Sequence, residues 1–257
     1  MNPTIILDAG HGGTDSGATY NGRLEKEDTL RLALAVGDIL EQNGFPVIYT
    51  RTTDVYDTPI EKARIANNSD GDYFVSIHRN SSPQANMYHG VETLLYDNSG
   101  IKAELARAVN QELERVGFRN AGIKERPNLV VLKRTEMPAI LIEAGFLNTD
   151  SDNDLFDTNF DQIAEAIASA IIRTLSSQSM GQNRYRVQVG LFRIPSNAQY
   201  YLNRLLDQGF DGNIYYNGTY YVVTAGDTSS LEEAKQLSDH LRSLGYDTLI
   251  VQNQGMV

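Results

Sequence analysis

Through residue 175 the chain alternates between short apolar runs and longer stretches with helical periodicity. Residues 4–7 are apolar and read as a buried strand. Residues 26–43 follow with Leu30, Ala33, Leu34 and Gly37 at i, i+3, i+4 and i+7, and Gly44 supplies a stop, so a helix is expected there. Residues 46–50 read as the next strand. Thr58-Pro59-Ile60-Glu61 has the capping-box pattern with proline at the first helical position, which predicts a helix to about Asn68. Residues 73–77 are rich in strand formers, residues 91–96 alternate, and residues 100–116 form a helix stopped by Gly117. Residues 129–132 and 139–142 read as short apolar strands. Residues 161–175 read as a closing helix that buries Ile163, Ile167, Ala170 and Ile171. This alternation predicts an α/β domain with a mostly parallel sheet and helices on both faces.

Residues 176–183 are small and polar without periodicity and read as a flexible linker. Beyond them the pattern repeats. Tyr185-Arg186-Val187-Gln188-Val189 recurs as Tyr220-Tyr221-Val222-Val223-Thr224, and the helix stop Gly209-Phe210-Asp211 recurs as Gly245-Tyr246-Asp247. Each unit is strand–helix–strand, so the pair predicts a small ferredoxin-like β-α-β-β-α-β domain. The expected organisation is a large domain at 1–175, a linker at 176–183 and a small domain at 184–257.

Composition narrows the function. The chain has no cysteine, which excludes disulfides and thiolate metal sites. Its net charge is −11, with −10 in residues 1–181 and −1 in the remainder, and no basic stripe offsets the acid excess, so nucleic acid and anionic membranes are poor partners. No apolar run is long enough for a membrane span. The N-terminus shows no basic region followed by an apolar core, so no signal peptide is visible.

The chemistry concentrates where predicted strands end. The first strand runs into Asp8-Ala9-Gly10-His11-Gly12-Gly13, which presents one imidazole on a tight turn. His78 ends the run Ser76-Ile77-His78. Parallel strands bring their C-terminal ends to one sheet edge, where α/β domains place ligands, so the two imidazoles can converge. Two histidines and a carboxylate with one open position make a hydrolytic zinc site. A histidine satisfied by backbone in the turn is the plainer alternative for His11, and a buried strand-end residue is that for His78. His89 and His240 read as ordinary surface residues. Position alone makes Glu25 a candidate for the third ligand with Glu27 and Asp28 as competitors, since acids favour any first helical turn. Glu143 follows the apolar run Ala139-Ile140-Leu141-Ile142, where a carboxylate is costly without a partner or a task. Proton transfer is one such task, and a structural ion pair is the other.

Taken together, Asp8–His11 and its glycines, Glu25, Thr50-Arg51-Thr52-Thr53-Asp54, Arg64-Ile65-Ala66-Asn67, Ser76-Ile77-His78 and the segment from Pro138 to Asn148 resemble the type 3 zinc-dependent N-acetylmuramoyl-L-alanine amidases. These are bacterial and phage peptidoglycan hydrolases. The resemblance covers residues 3–175. It implies Zn2+ bound by His11, Glu25 and His78, with Glu143 catalytic. It also implies cleavage of the amide between the lactyl group of N-acetylmuramic acid and L-alanine, in cell wall lysis by an autolysin or a prophage endolysin. Without a visible leader, access to the wall after release or lysis is expected. The family commonly has a small or apolar residue before the asparagine that follows its second histidine. Here Arg79 precedes Asn80, and both are candidates for substrate contact. Residues 184–254 resemble the SPOR domain, a module that takes up glycan strands stripped of their peptides, and Gln188 and Tyr221 are candidates for its binding face. A catalytically inactive wall-binding protein and a zinc peptidase or deacetylase are the rival readings.

Overall fold

The computed structural model describes residues 2–181, 184–228 and 230–253. They divide into two compact units, Met1–Ser176 and Ser177–Val257. The first is built on a six-stranded sheet. In chain order its elements are β1 (Ile5–Ala9), a small hairpin of β2 (Thr19–Tyr20) and β3 (Arg23–Leu24), α1 (Glu25–Gln42), β4 (Val47–Tyr49), α2 (Pro59–Asn67), β5 (Tyr73–Asn80), β6 (Val91–Leu95), α3 (Gly100–Val116), β7 (Asn120–Glu125), α4 (Val130–Arg134), β8 (Ala139–Phe146), α5 (Asp150–Thr158) and α6 (Phe160–Gly181). The strand order is β4-β1-β5-β8-β6-β7. All neighbours are parallel except β6 and β8.

Alternation along each strand sorts side chains into two layers. Ile5, Leu7, Val75, Ile77, Ile140 and Ile142 face one side and form the main core with α1, α3 and α6. Ile6, Phe74, Leu94, Leu141 and Ala139 face the other and form a smaller core with Val131 and Leu132 of α4 and Ala66 of α2. Helices therefore cover both faces. The smaller layer is covered only over the lower part of the strands. Above it, Asp8, Ser76, His78, Glu143 and Glu92 continue the same face toward the sheet edge.

The expected helices fall where periodicity places them. Thr58 makes both hydrogen bonds of its capping box, and Ile163, Ile167, Ala170 and Ile171 are fully buried. Three expectations are corrected. Residues 129–132 belong to helix α4 and its N-cap, not to a strand. A four-residue apolar run is compatible with either state, and here one helical turn is enough to bury Val131 and Leu132. Strand β7, the hairpin of β2 and β3 and helix α5 were not expected; the edge position of β7 requires little apolar surface, and Ile123 alone packs against the core from it. Finally, the stretch read as a linker continues α6 as far as Gly181. Nothing in Ser176-Ser177-Gln178-Ser179-Met180 breaks a helix already propagating. Residues 182 and 183 lie outside the described residues.

The second unit contains β9 (Arg184–Phe192), α7 (Pro195–Asp207), β10 (Gly212–Tyr216), β11 (Tyr221–Thr228), α8 (Leu231–Ser243) and β12 (Leu249–Asn253), the expected β-α-β-β-α-β order. Its antiparallel sheet runs β10-β11-β9-β12. Val187, Val189, Val223 and Ala225 meet Ala198, Leu205 and Leu241 of the helices in a separate core.

Candidate metal centre

His11 lies just past the end of β1 on a backbone in the left-handed region, with φ 60°. Such a conformation is uncommon outside glycine and persists only when its surroundings hold it. They do so through the loop's carbonyls. Arg51 donates from Nε to the Ala9 carbonyl (3.1 Å) and from Nη2 to that of Gly10 (2.9 Å). Lys62 Nζ reaches the carbonyls of Ala9 (2.6 Å) and His11 (3.4 Å). Thr29 Oγ1 adds a 2.7 Å bond to Gly10. Beneath them Asp8 is buried, accepting from Thr50 Oγ1 (2.7 Å), Ser76 Oγ (2.5 Å) and Lys62 Nζ (2.8 Å). Burial by itself would raise the Asp8 carboxyl, but Lys62, with the Ser76 hydroxyl and His78, holds it below the ordinary carboxylate range.

Parallel pairing of β1 with β5 brings His78 to the same edge. The His11 and His78 rings meet edge to face, with centroids 4.9 Å apart. Glu25, the first residue of α1, enters from the other side of the edge and bridges them. Its Oε1 lies 2.9 Å from His78 Nδ1 and its Oε2 lies 3.1 Å from His11 Nε2. Two backbone donors fix the carboxylate, Ala18 N–H on Oε2 (2.8 Å) and Arg79 N–H on Oε1 (3.1 Å). Two glycines make the cradle. A Cβ on Gly10 would stand 2.4 Å from the His78 ring, and one on Gly17 would stand 2.6 Å from both His11 and Glu25. Glu27 points to solvent, and Asp28 is buried elsewhere. Of the three acids, Glu25 alone lies against both imidazoles.

One ligand atom from each of His11, Glu25 and His78 falls within 4.8 Å of the others. Two imidazoles and a carboxylate suit zinc, whose ligands gather at about 2.0–2.2 Å from the ion and leave one position open in hydrolytic sites. The other His11 nitrogen, Nδ1, is 2.9 Å from Asp15 Oδ2, the outer carboxylate that commonly orients a metal-binding imidazole. The charges also fit. Burial alone would depress the His11 imidazole, but Glu25 and Asp15 raise it to about 9. Burial would raise Glu25, yet the two histidines bring it far below its usual range. Glu25 is thus held ionised between the two imidazoles.

Glu143 stands beside this group. In register it pairs with His78 on one side and Glu92 on the other. Its Oε2 is buried without a hydrogen-bond partner. Burial raises its carboxyl to about 7; His78 opposes this, and the charges of Glu25 and Glu92 add to it. A group so poised can both accept and release a proton near neutral pH. A cleft of about 240 Å3 opens next to His11 and His78, floored by Leu129, Val131 and Leu141.

The remaining candidates separate. Arg79 does not face the cleft: its side chain is 1% exposed and is engaged by Asp28, which overturns the expectation of substrate contact. A residue adjacent to His78 in a strand must point to the opposite face. Asn80 is partly exposed and donates to Glu92 Oε1 (2.8 Å), while Lys124 pairs with the other oxygen, Oε2. Gln188 lies on the face of the second sheet away from its helices, in register with Thr224 and Leu249. Tyr221 shares the parity of Val223 and Ala225 and packs on the helix side instead. The two are therefore not on one binding face. His89 is exposed, and His240 rests against Phe210. The supporting roles of Asp15, Arg51 and Lys62 were missed; a glycine-rich turn needing its carbonyls capped was the available signal.

Residues 5–173 match the family described as N-acetylmuramoyl-L-alanine amidase, and residues 181–252 match the SPOR domain. A sporulation-specific N-acetylmuramoyl-L-alanine amidase of Bacillus subtilis is 35% identical, covering 80% of this chain and 82% of its own length. The amidase CwlM of Bacillus licheniformis is 35% identical over 82% of this chain and 84% of its own. The crystal structure of an N-acetylmuramoyl-L-alanine amidase from Clostridium difficile 630 superposes with a TM-score of 0.65 at 36% identity, covering 69% of this chain and 98% of that one.

Proposed function

The chain belongs to the N-acetylmuramoyl-L-alanine amidases and carries a SPOR domain, and on that premise we propose that His11, Glu25 and His78 hold zinc and that Glu143 moves the proton in peptidoglycan hydrolysis. The observation that carries this reading is the convergence of three ligand atoms within 4.8 Å beside a carboxyl raised to about 7. A zinc ion held there supplies Lewis acidity to the scissile carbonyl and to water. Glu143 takes a proton from the attacking water. It then returns that proton to the nitrogen of L-alanine as the bond from the lactyl carbonyl breaks. Leu129, Val131 and Leu141 give the cleft beside His11 and His78 an apolar wall.

Residues 1–175 form the hydrolase in this reading. The SPOR domain from residue 184 holds the enzyme on glycan through the sheet face that carries Gln188. The outcome is cell wall lysis, as an autolysin or a prophage endolysin. An inactive wall-binding protein would have no need of an intact set of four residues. Mass spectrometry of digested muropeptides tests the reading. The amidase yields intact stem peptides with free L-alanine amino termini; a peptidase or deacetylase yields neither. Glu143→Ala should keep its zinc and fold and lose about 10²–10⁴ in rate. A variant retaining a tenth of the activity would remove Glu143 from the proton-transfer role.

A further inference from the structure

Arg79 is a buried cation one residue beyond the proposed ligand His78. It is among the largest fully buried side chains in the molecule. Nη1 donates to Asp28 Oδ2 (2.6 Å) and Nη2 to Asn153 Oδ1 (2.8 Å), while Cζ lies 4.1 Å above the centre of the Phe156 ring. Asp28 also accepts from Arg23 Nε (2.6 Å), and Arg23 in turn grips Asp157 with both terminal nitrogens, at 2.9 and 2.7 Å. Arg79 Nε has no partner. Burying a guanidinium is expensive, and an apolar side chain of similar size would fill the space at lower cost. What the planar fork adds is direction.

That direction bears on the metal ligands. Asp28 follows Glu25 by three residues and so lies on the same face of α1. Arg79 follows His78 by one residue and lies on the opposite face of β5. The first turn of α1 and the end of β5 are therefore joined twice. On one side Glu25 Oε1 meets His78 Nδ1 (2.9 Å) and the Arg79 N–H (3.1 Å). On the other, Arg79 meets Asp28. Asn153 and Phe156 tie the same guanidinium to α5.

We propose that Arg79 is a positioning residue: clamped by Asp28 and Asn153, it locks α1 to β5 and presets the spacing of Glu25 and His78 for the metal. The inference rests on the assignment of His11, Glu25 and His78 as ligands. It is tested by zinc affinity, measured by competition with a chromophoric chelator, and by the visible spectrum of the cobalt-substituted protein.

Arg79→Ala and Asp28→Asn should each weaken zinc binding at least about tenfold, as loss of an outer-shell partner typically does. Arg79→Lys, which retains charge but lacks the fork, should fall between Arg79→Ala and the parent. The cobalt bands should shift in Arg79→Ala. Leu113→Ala, in the same core but away from the site, should lower the melting temperature and leave zinc affinity and spectrum unchanged. If Arg79→Ala does not fold, Arg79→Lys and Asn153→Ala are judged by the same criterion. Affinities of the folded Arg79 and Asp28 variants within about twofold of the parent would overturn the positioning role and leave Arg79 a packing residue. Equal zinc in the parent and in Glu25→Ala would instead mean that the ligand assignment had failed.

Discussion

Glu25 joins two imidazoles before any metal arrives, and this makes the metal-free site sensitive to pH. His11 is raised to about 9 in the folded protein, against about 6.5 when unfolded. A raised pKa contributes stability that is fully present below the unfolded value and is lost as pH rises through the folded one. The chelator-treated protein should therefore lose melting temperature between about pH 6.5 and 9. Zinc must displace the His11 proton, so its affinity should rise across the same interval. Thermal melts and zinc titrations at stepped pH check both; a flat profile for the metal-free protein would show that His11 carries no extra proton. His89→Ala, on an exposed loop, should bind zinc like the parent, while His11→Ala should bind none.

Among the elements, α2 is tied to β1 by one buried ion pair. Lys62, on α2, meets Asp8 at 2.8 Å and also caps the carbonyl of Ala9. Removing one partner leaves the other charge uncompensated, which costs on the order of 3–5 kcal/mol. Lys62→Met should show a loss of that size in urea unfolding, together with weaker zinc binding because the His11 loop loses a support. A loss under 1 kcal/mol would mean that Asp8 finds other compensation. The stop of α1, the start of α2 and the stop of α3 were legible in the chain, since Gly44, Thr58 and Gly117 act locally. Strand β7, helices α4 and α5 and the end of α6 were not. An edge strand shows little apolar periodicity, and a single helical turn offers too few residues for any period to register.

At the scale of the molecule, each unit has its own apolar core, and all four proposed site residues precede residue 177. Deleting residues 182–257 leaves α6 whole. The shortened protein should remain folded and zinc-loaded and should cleave small soluble muropeptides at close to the parent rate. On insoluble sacculi it should be slower, because a second attachment raises local concentration without new chemistry. An equal loss on both substrates would show that the second unit takes part in hydrolysis.

Motif and periodicity were sufficient for the α/β plan, the repeat in the second unit and the positions of His11, His78 and Glu143, because each depends on neighbours within a few residues. Choosing Glu25 over Glu27 and Asp28 through its neighbours was beyond them, and the family resemblance had to make that choice. The same limit applied to the face of Tyr221, the helical state of residues 130–134 and the burial of Arg79. Those outcomes depend on which groups lie within hydrogen-bonding reach across the fold. Arg79 is the clearest instance: a cation beside a proposed metal ligand reads as a substrate contact until strand alternation turns it to the opposite face, where Asp28 and Phe156 receive it.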